Sequence, residues 1–187
     1  EYVSAMMLAI SMMFLRFMIL ILIFSTSIFL NIYPYLLIMS VTAAGIGIFI
    51  HKKHTIKGER EVIEETETES NPLEFKVALI FALLFVVFTF LTHYTLVYAG
   101  TGGLSILSIA TGLSDITPFI LNLLQGGNIP ATIVGACIMQ AIISNIVVNM
   151  FYAIFFSSRR KEMLPYVWKG FLTVIGVNAV LLLIYYF

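Results

Sequence analysis

The chain has 187 residues, 60% of them hydrophobic, a formal net charge of zero and a mean hydropathy of +1.03. That composition excludes a soluble domain, which needs far more polar surface, and the balanced charge gives no reason to expect a nucleic-acid partner. The single cysteine, Cys137, lies in an apolar run, so a disulfide framework is excluded and the thiol reads as an inert small hydrophobe.

Six apolar segments follow one another: 5–24, 33–50, 75–99, 104–124, 131–156 and 166–187. Each is long enough to cross ~30 Å of hydrocarbon as a helix. The expectation is therefore an all-α, polytopic transmembrane domain over 1–187, embedded in the lipid bilayer of the inner (plasma) membrane as a multi-pass protein. No basic stretch precedes the first apolar run, so no cleavable signal peptide is expected. The chain opens on Glu1, so a fragment, a processed product and the ordered part of something longer all stay open.

Segment 5–24 carries Arg16 in "MMFLRFMIL", the only basic residue deep in a span. It is a candidate for an ion pair with Asp115 or for contact with an anion; the plainer alternative is snorkelling to an interface. After segment 33–50 comes a charged loop, 51–74, "HKKHTIKGEREVIEETETESNPLE", basic first and acidic second. It lacks apolar periodicity and reads as solvated, mobile and cytoplasmic. His51 and His54 as a metal pair is the weaker reading of the same loop.

The basic residues raise a question of parity. Lys52, Lys53, Lys57 and Arg60 lie in the long loop, and Arg159, Arg160, Lys161 and Lys169 flank the last linker, while linkers 25–32, 100–103 and 125–130 carry no charge. Lys and Arg collect on the cytoplasmic side. The two clusters share a face only if one of the three segments between them fails to cross. Segment 104–124 is the candidate, because Gly112 and Pro118 near its middle suit two half-helices joined by a turn. Five spans plus one re-entrant, broken helix is the expected architecture, and six full spans is the rival.

That segment holds "ATGLSDITPFI" (110–120), with Asp115 the only acidic residue inside any apolar segment. A carboxylate at bilayer depth costs ~2.5–3.5 kcal/mol on insertion scales, and such groups usually face a cavity or a partner. Asp115 or Ser114 as N-cap of the second half-helix, with Pro118 in its first turn, is the equally weighted plainer reading. Hydroxyls recur at Ser105, Ser108, Thr111, Ser114 and Thr117, with Gly100, Gly102, Gly103 and Gly112 among them. Helix packing explains most of these, and a hydroxyl-lined path is the sharper reading.

Segment 131–156 presents Gln140, Ser144, Asn145 and Asn149 on one broad polar face that should turn inward, either joining helices or coordinating a cation. Trp168, Tyr166, Tyr185 and Tyr186 near the ends of the last span suit an aromatic belt, and His93-Tyr94 reads as interfacial. Enzyme motifs are lacking, so no catalytic residue and no cofactor is expected, and no metal is assigned.

Residues 1–50 and 132–181 align weakly at a constant offset. Pro34 and Pro165, Tyr35 and Tyr166, Thr42 and Thr173, and Gly45 and Gly176 coincide. With a re-entrant hairpin between them the two copies would be inverted, a recurring plan of secondary transporters with sites at broken helices. The equivalent of 104–124 in the first copy would lie upstream of Glu1.

Three stretches, "SAMMLAISMMFLRFMILILI" (4–23), "TGGLSILSIATGLSDITPFILNL" (101–123) and "QAIISNIVVNMFYAIF" (140–155), resemble domain of unknown function 4010. This is an integral membrane domain often found behind an MgtC/SapB-type domain. Gly112, Leu113, Asp115 and Thr117 carry the resemblance most specifically, followed by Met13 to Arg16 and Ser144-Asn145. Thr117 stands where a second acidic residue is frequent in the family, and Asn149 where a basic one is common. Both departures remove charge and weaken a divalent-ion reading. The resemblance implies a transporter-like protein, with magnesium linked only through the associated domain.

The combined reading is a permease-like protein moving a small ion or solute. Asp115 is its polar centre, supported by Ser114, Thr117, Asn145, Asn149 and Arg16. The expected partners are lipid, the solute, and a second copy or an upstream membrane domain. The alternative is a non-transporting structural or assembly subunit of a membrane complex, and a third is a lipid-handling protein with a lateral groove.

Overall fold

The computed structural model describes residues 2–54, 73–126, 129–157 and 164–186. The described residues form six helices and no strand: α1 Tyr2–Phe24, α2 Thr26–His54, α3 Leu73–Thr111, α4 Thr117–Gln125, α5 Ala131–Ser157 and α6 Leu164–Tyr186. Five of them contain a stretch long and apolar enough to cross a membrane. The central part of the 51–74 loop, with Lys57 and Arg60, lies outside the described residues, as do the side chain of His54 and all of Arg159, Arg160 and Lys161.

Helices α1 and α2 pack along a seam that their sequences spell out. Val3, Met7, Ile10, Phe14, Phe17 and Ile21 are buried at alternating steps of four and three, and Ile32, Leu36, Met39 and Ala43 face them. This is the spacing that keeps one apolar stripe against a partner helix. The pair runs antiparallel: Ser4 Oγ donates to Gly47 O at 2.7 Å near one end, and Ser11 Oγ to Ser40 O at 3.0 Å further along. The expected linker 25–32 shrinks to Ser25, whose Oγ accepts the Ile28 N–H at 3.4 Å and opens α2.

Segment 104–124 does not cross. Helix α3 is broken by non-helical backbone at Gly100 (φ 59, ψ −151), so 73–99 forms the span and 101–111 a separate half-helix. The expected linker 100–103 is therefore a one-residue hinge within helix. After a turn over 112–116 the chain returns as α4, of 9 residues. Half-helices of this size are about 16 and 14 Å long at ~1.5 Å per residue, too short to cross ~30 Å of hydrocarbon. Together they form a re-entrant hairpin whose tip meets α5 near its middle, at Ser144 and Asn145.

The contacts of α6 fix the sense of every helix. Tyr35 and Tyr185 meet edge to face at 5.2 Å between centroids, and Gly170 faces Met7 and Ile46. The start of α6 therefore lies with the end of α2 and the start of α1. Gly135 lies against the Tyr185 hydroxyl, so α5 begins where α6 ends. The Thr101 region shares a cavity with Ile129 and Pro130, so the span 73–99 begins at the opposite end, with the ends of α2 and α5. The end of α2 and the end of α5 thus lie at the same end of the bundle, because only α3 and α5 run its length between them. Helices α1 and α5 run in opposite senses. Half of the apolar stretch of α5 is buried against 11% of that in α3, which makes α5 central and α3 peripheral.

Candidate functional site

The hairpin tip is held by three elements. On α4, the Thr117 N–H donates to Asp115 Oδ1 at 2.9 Å, and the Thr117 hydroxyl donates to the same oxygen at 2.7 Å. Asp115 thereby satisfies one of the N–H groups a helix leaves open at its start, with Pro118 in the first turn as such starts favour. From α1, Arg16 Nη2 donates to Thr117 Oγ1. The direct Arg16–Asp115 pair is replaced by a relay in which one hydroxyl accepts from the guanidinium and donates to the carboxylate. The guanidinium also lies 5.5 Å from the Phe17 ring centroid.

The third element is α5. Where the half-helix 101–111 stops, its last carbonyls lose their helical donors. Ser144 Oγ donates to Ile109 O at 2.6 Å, and Asn145 Nδ2 to Gly112 O at 3.3 Å. Asn149 Nδ2 backs this up by donating to Asn145 Oδ1 at 3.1 Å. The helices approach so closely that a Cβ on Gly112 would lie 2.3 Å from Ser144 Cβ and 2.7 Å from the Asn145 backbone nitrogen. Glycine at 112 is a condition of this crossing. The inward-facing amide surface of α5 closes a broken helix, with Ser144 as important as the two asparagines.

Of the six candidate residues, Arg16, Thr117, Asp115, Asn145 and Asn149 gather around the tip, while Ser114 turns back to donate to Thr111 O at 3.2 Å. Neither Ser114 nor Asp115 is the N-cap of α4: that position is Ile116, which makes no side-chain cap bond, and Asp115 accepts the Thr117 N–H from one residue further out. Ser108 and Thr111 likewise bond their own helix, to Leu104 O and Ser108 O at 2.8 Å, so a continuous hydroxyl path does not form along this stripe. Thr117 is buried, whereas Asp115, Ser114 and Arg16 are exposed on the chain's surface. The carboxylate, expected to face a cavity or a partner, is exposed on the surface of this chain.

Sequence reading missed two features. A cavity of about 710 Å³ between α3, α4 and the 126–130 connection is lined by Thr89, Thr92, His93, Thr101, Asn122 and Gln125 among apolar neighbours. It lies toward the mouth of the hairpin, and Asn122 Nδ2 closes one wall on Thr89 Oγ1 at 2.7 Å. Asn178 in α6 is fully buried, with no hydrogen-bond partner for its amide among the described residues. A lone amide within the apolar run 166–187 was the available signal. A lateral groove of about 410 Å³ runs between α1 and α5, lined by Met6, Ala9, Met13, Asn149 and Tyr152 among others.

Fold and tip together define a polytopic α-helical membrane protein with a re-entrant hairpin. Residues 1–157 match the family described as Domain of unknown function (DUF4010), and the chain belongs to that family. Helix α6 lies beyond the matched stretch. The chain is also similar to an "Uncharacterized protein" of Aquifex aeolicus (strain VF5), at 24% identity over 153 residues, covering 80% of this chain. It spans 63% of that relative's length. No solved structure matches.

Proposed function

We propose that this chain moves a small ion or solute across the plasma membrane, with the hairpin tip as the binding point. The observation that carries the reading is the exposed Arg16–Thr117–Asp115 relay at the break between two half-helices. Broken helices at mid-depth place helix ends and unpaired polar groups where a solute can use them. In this reading residues 51–74 and 158–163 are cytoplasmic, since the basic stretches of the sequence follow the ends of α2 and α5, which lie at one end of the bundle, and the hairpin and its cavity open to the other. No catalytic step is assigned. A second copy, or a further membrane domain of a longer protein, would cover the exposed tip.

One observation favours a second reading, a non-transporting assembly subunit. Ser144 and Asn145 are engaged in closing the break, and the two charges face outward from the chain, as they would at an interface with another protein. Asp115→Asn separates the two readings. Uptake of labelled Mg²⁺, Na⁺, chloride and glycine is measured in liposomes containing the purified protein. Transport expects at least a tenfold loss of the active flux with the unfolding midpoint kept within a few degrees. The assembly role expects no flux from the wild type, and lower stability or a changed assembly size in the variant.

A further inference from the structure

The tip carries one positive and one negative group, both reachable and each largely unengaged by protein. Of the Arg16 guanidinium donors, only Nη2–H makes a hydrogen bond among the described residues, to Thr117. Of the Asp115 carboxylate, Oδ1 takes both Thr117 donors and Oδ2 takes none among the described residues. Polar groups at bilayer depth need partners, since hydrocarbon offers none. The partner must therefore satisfy a cation and an anion whose own contact runs through one hydroxyl.

A bare metal ion fits this poorly. Two of the carbonyls at the break are already taken by α5, Ile109 O by Ser144 and Gly112 O by Asn145. The one carboxylate lies a single hydroxyl away from a guanidinium that repels a cation. No group of three or more His, Cys, Asp or Glu that could hold a metal occurs among the described residues. A lone anion is opposed in the same way by Asp115. A molecule bearing both charges meets neither objection: its carboxylate lies on Arg16, which binds that group through paired N–H donors, and its ammonium lies on Asp115.

We infer that the ligand of the Arg16–Thr117–Asp115 tip is a small zwitterion of amino-acid size. Its movement across the membrane rests on the transport reading above, but its binding does not.

The test uses the full chain in two measurements. In detergent, the unfolding midpoint is followed with glycine, proline and β-alanine, and separately with magnesium chloride and sodium acetate. In liposomes, uptake of labelled glycine, proline and β-alanine is compared with uptake of Mg²⁺. The inference expects a saturable upward shift with at least one zwitterion and none with either salt. Asp115→Asn and Arg16→Gln should each weaken the zwitterion effect tenfold or more. Arg16→Lys, which keeps the charge but loses the fork, should weaken it less than Arg16→Gln and guards against a variant that fails to fold. Binding without uptake keeps the ligand class and removes the transport reading. Asp115-dependent Mg²⁺ uptake without any zwitterion effect keeps transport and overturns the ligand class. A Mg²⁺ effect that strengthens in Arg16→Gln overturns it as well, as does the absence of any zwitterion shift.

Discussion

Thr117 occupies a position where its hydroxyl has a donor on one side and an acceptor on the other, and that pairing makes the tip sensitive to small changes. Thr117→Val keeps the shape but leaves Arg16 without its acceptor and Asp115 without one of its donors. The expected cost is about 1–3 kcal/mol, read as a lower unfolding midpoint in detergent, and Thr117→Ser should recover most of it. Gly112 is equally constrained, by space. Gly112→Ala forces a Cβ into Ser144 and the Asn145 backbone, and overpacking of this kind costs roughly 1–3 kcal/mol. The same unfolding measurement checks it; an unchanged midpoint would mean that α5 and the tip do not cross as closely as described. Gly112, Asp115 and Thr117 could be picked out from the sequence because each departs from an apolar run. Their wiring could not, since Arg16 and Thr117 are brought together only by the packing of α1 on α4.

At the scale of elements, the hairpin depends on two breaks of different kinds. The turn at 112–116 joins the half-helices, and the hinge at Gly100 separates the first of them from its span. With φ 59 and ψ −151, Gly100 sits in a region that side chains rarely enter. No atom lies within 4 Å of its would-be Cβ, so the effect of a substitution is conformational and not a clash. Gly100→Ala should cost about 1–3 kcal/mol, visible as a lower unfolding midpoint, while Gly102→Ala, also in open space but at ordinary backbone, should cost little. Proline and glycine near the middle of 104–124 were enough to expect the hairpin. Linkers 25–32 and 100–103 were misjudged for a common reason. Asn31, Ser27 and the glycines lower local hydropathy, but a helix end depends on whether neighbouring helices continue to bury it. Asn31 Nδ2 donates to Ser27 O at 3.0 Å within the helix, which removes the polar cost of staying helical there.

For the whole molecule, the decisive property is the number of crossings between the basic clusters. Two crossings, α3 and α5, put the ends of α2 and α5 at one face and Gln125 at the other. Single cysteines at Thr55→Cys, Ser158→Cys and Gln125→Cys, each in a Cys137→Ala background, should sort in oriented membranes. A membrane-impermeant maleimide should label the first two from one side and the third from the opposite side. Labelling of residue 158 together with residue 125 would return the six-span rival. The opposite senses of α1 and α5 are what an inverted repeat of 1–50 and 132–181 requires, and the coincident Pro-Tyr, Thr and Gly positions remain its proposed signature.

Hydropathy and the pattern of breakers were sufficient, without coordinates, to place this chain in a bilayer, to mark the run that does not cross, and to single out Asp115 and Arg16. These are local properties: transfer of apolar side chains from water, and the intolerance of a helix interior for glycine and proline. Tertiary structure alone decided that the two charges meet through Thr117, that Ser144 and Asn145 close the broken carbonyls, and that Asp115 faces outward. Each of those depends on where a second helix lies at a given depth, and that is set by the packing of Phe14, Phe17, Phe119 and their neighbours over the whole bundle, which no single segment encodes.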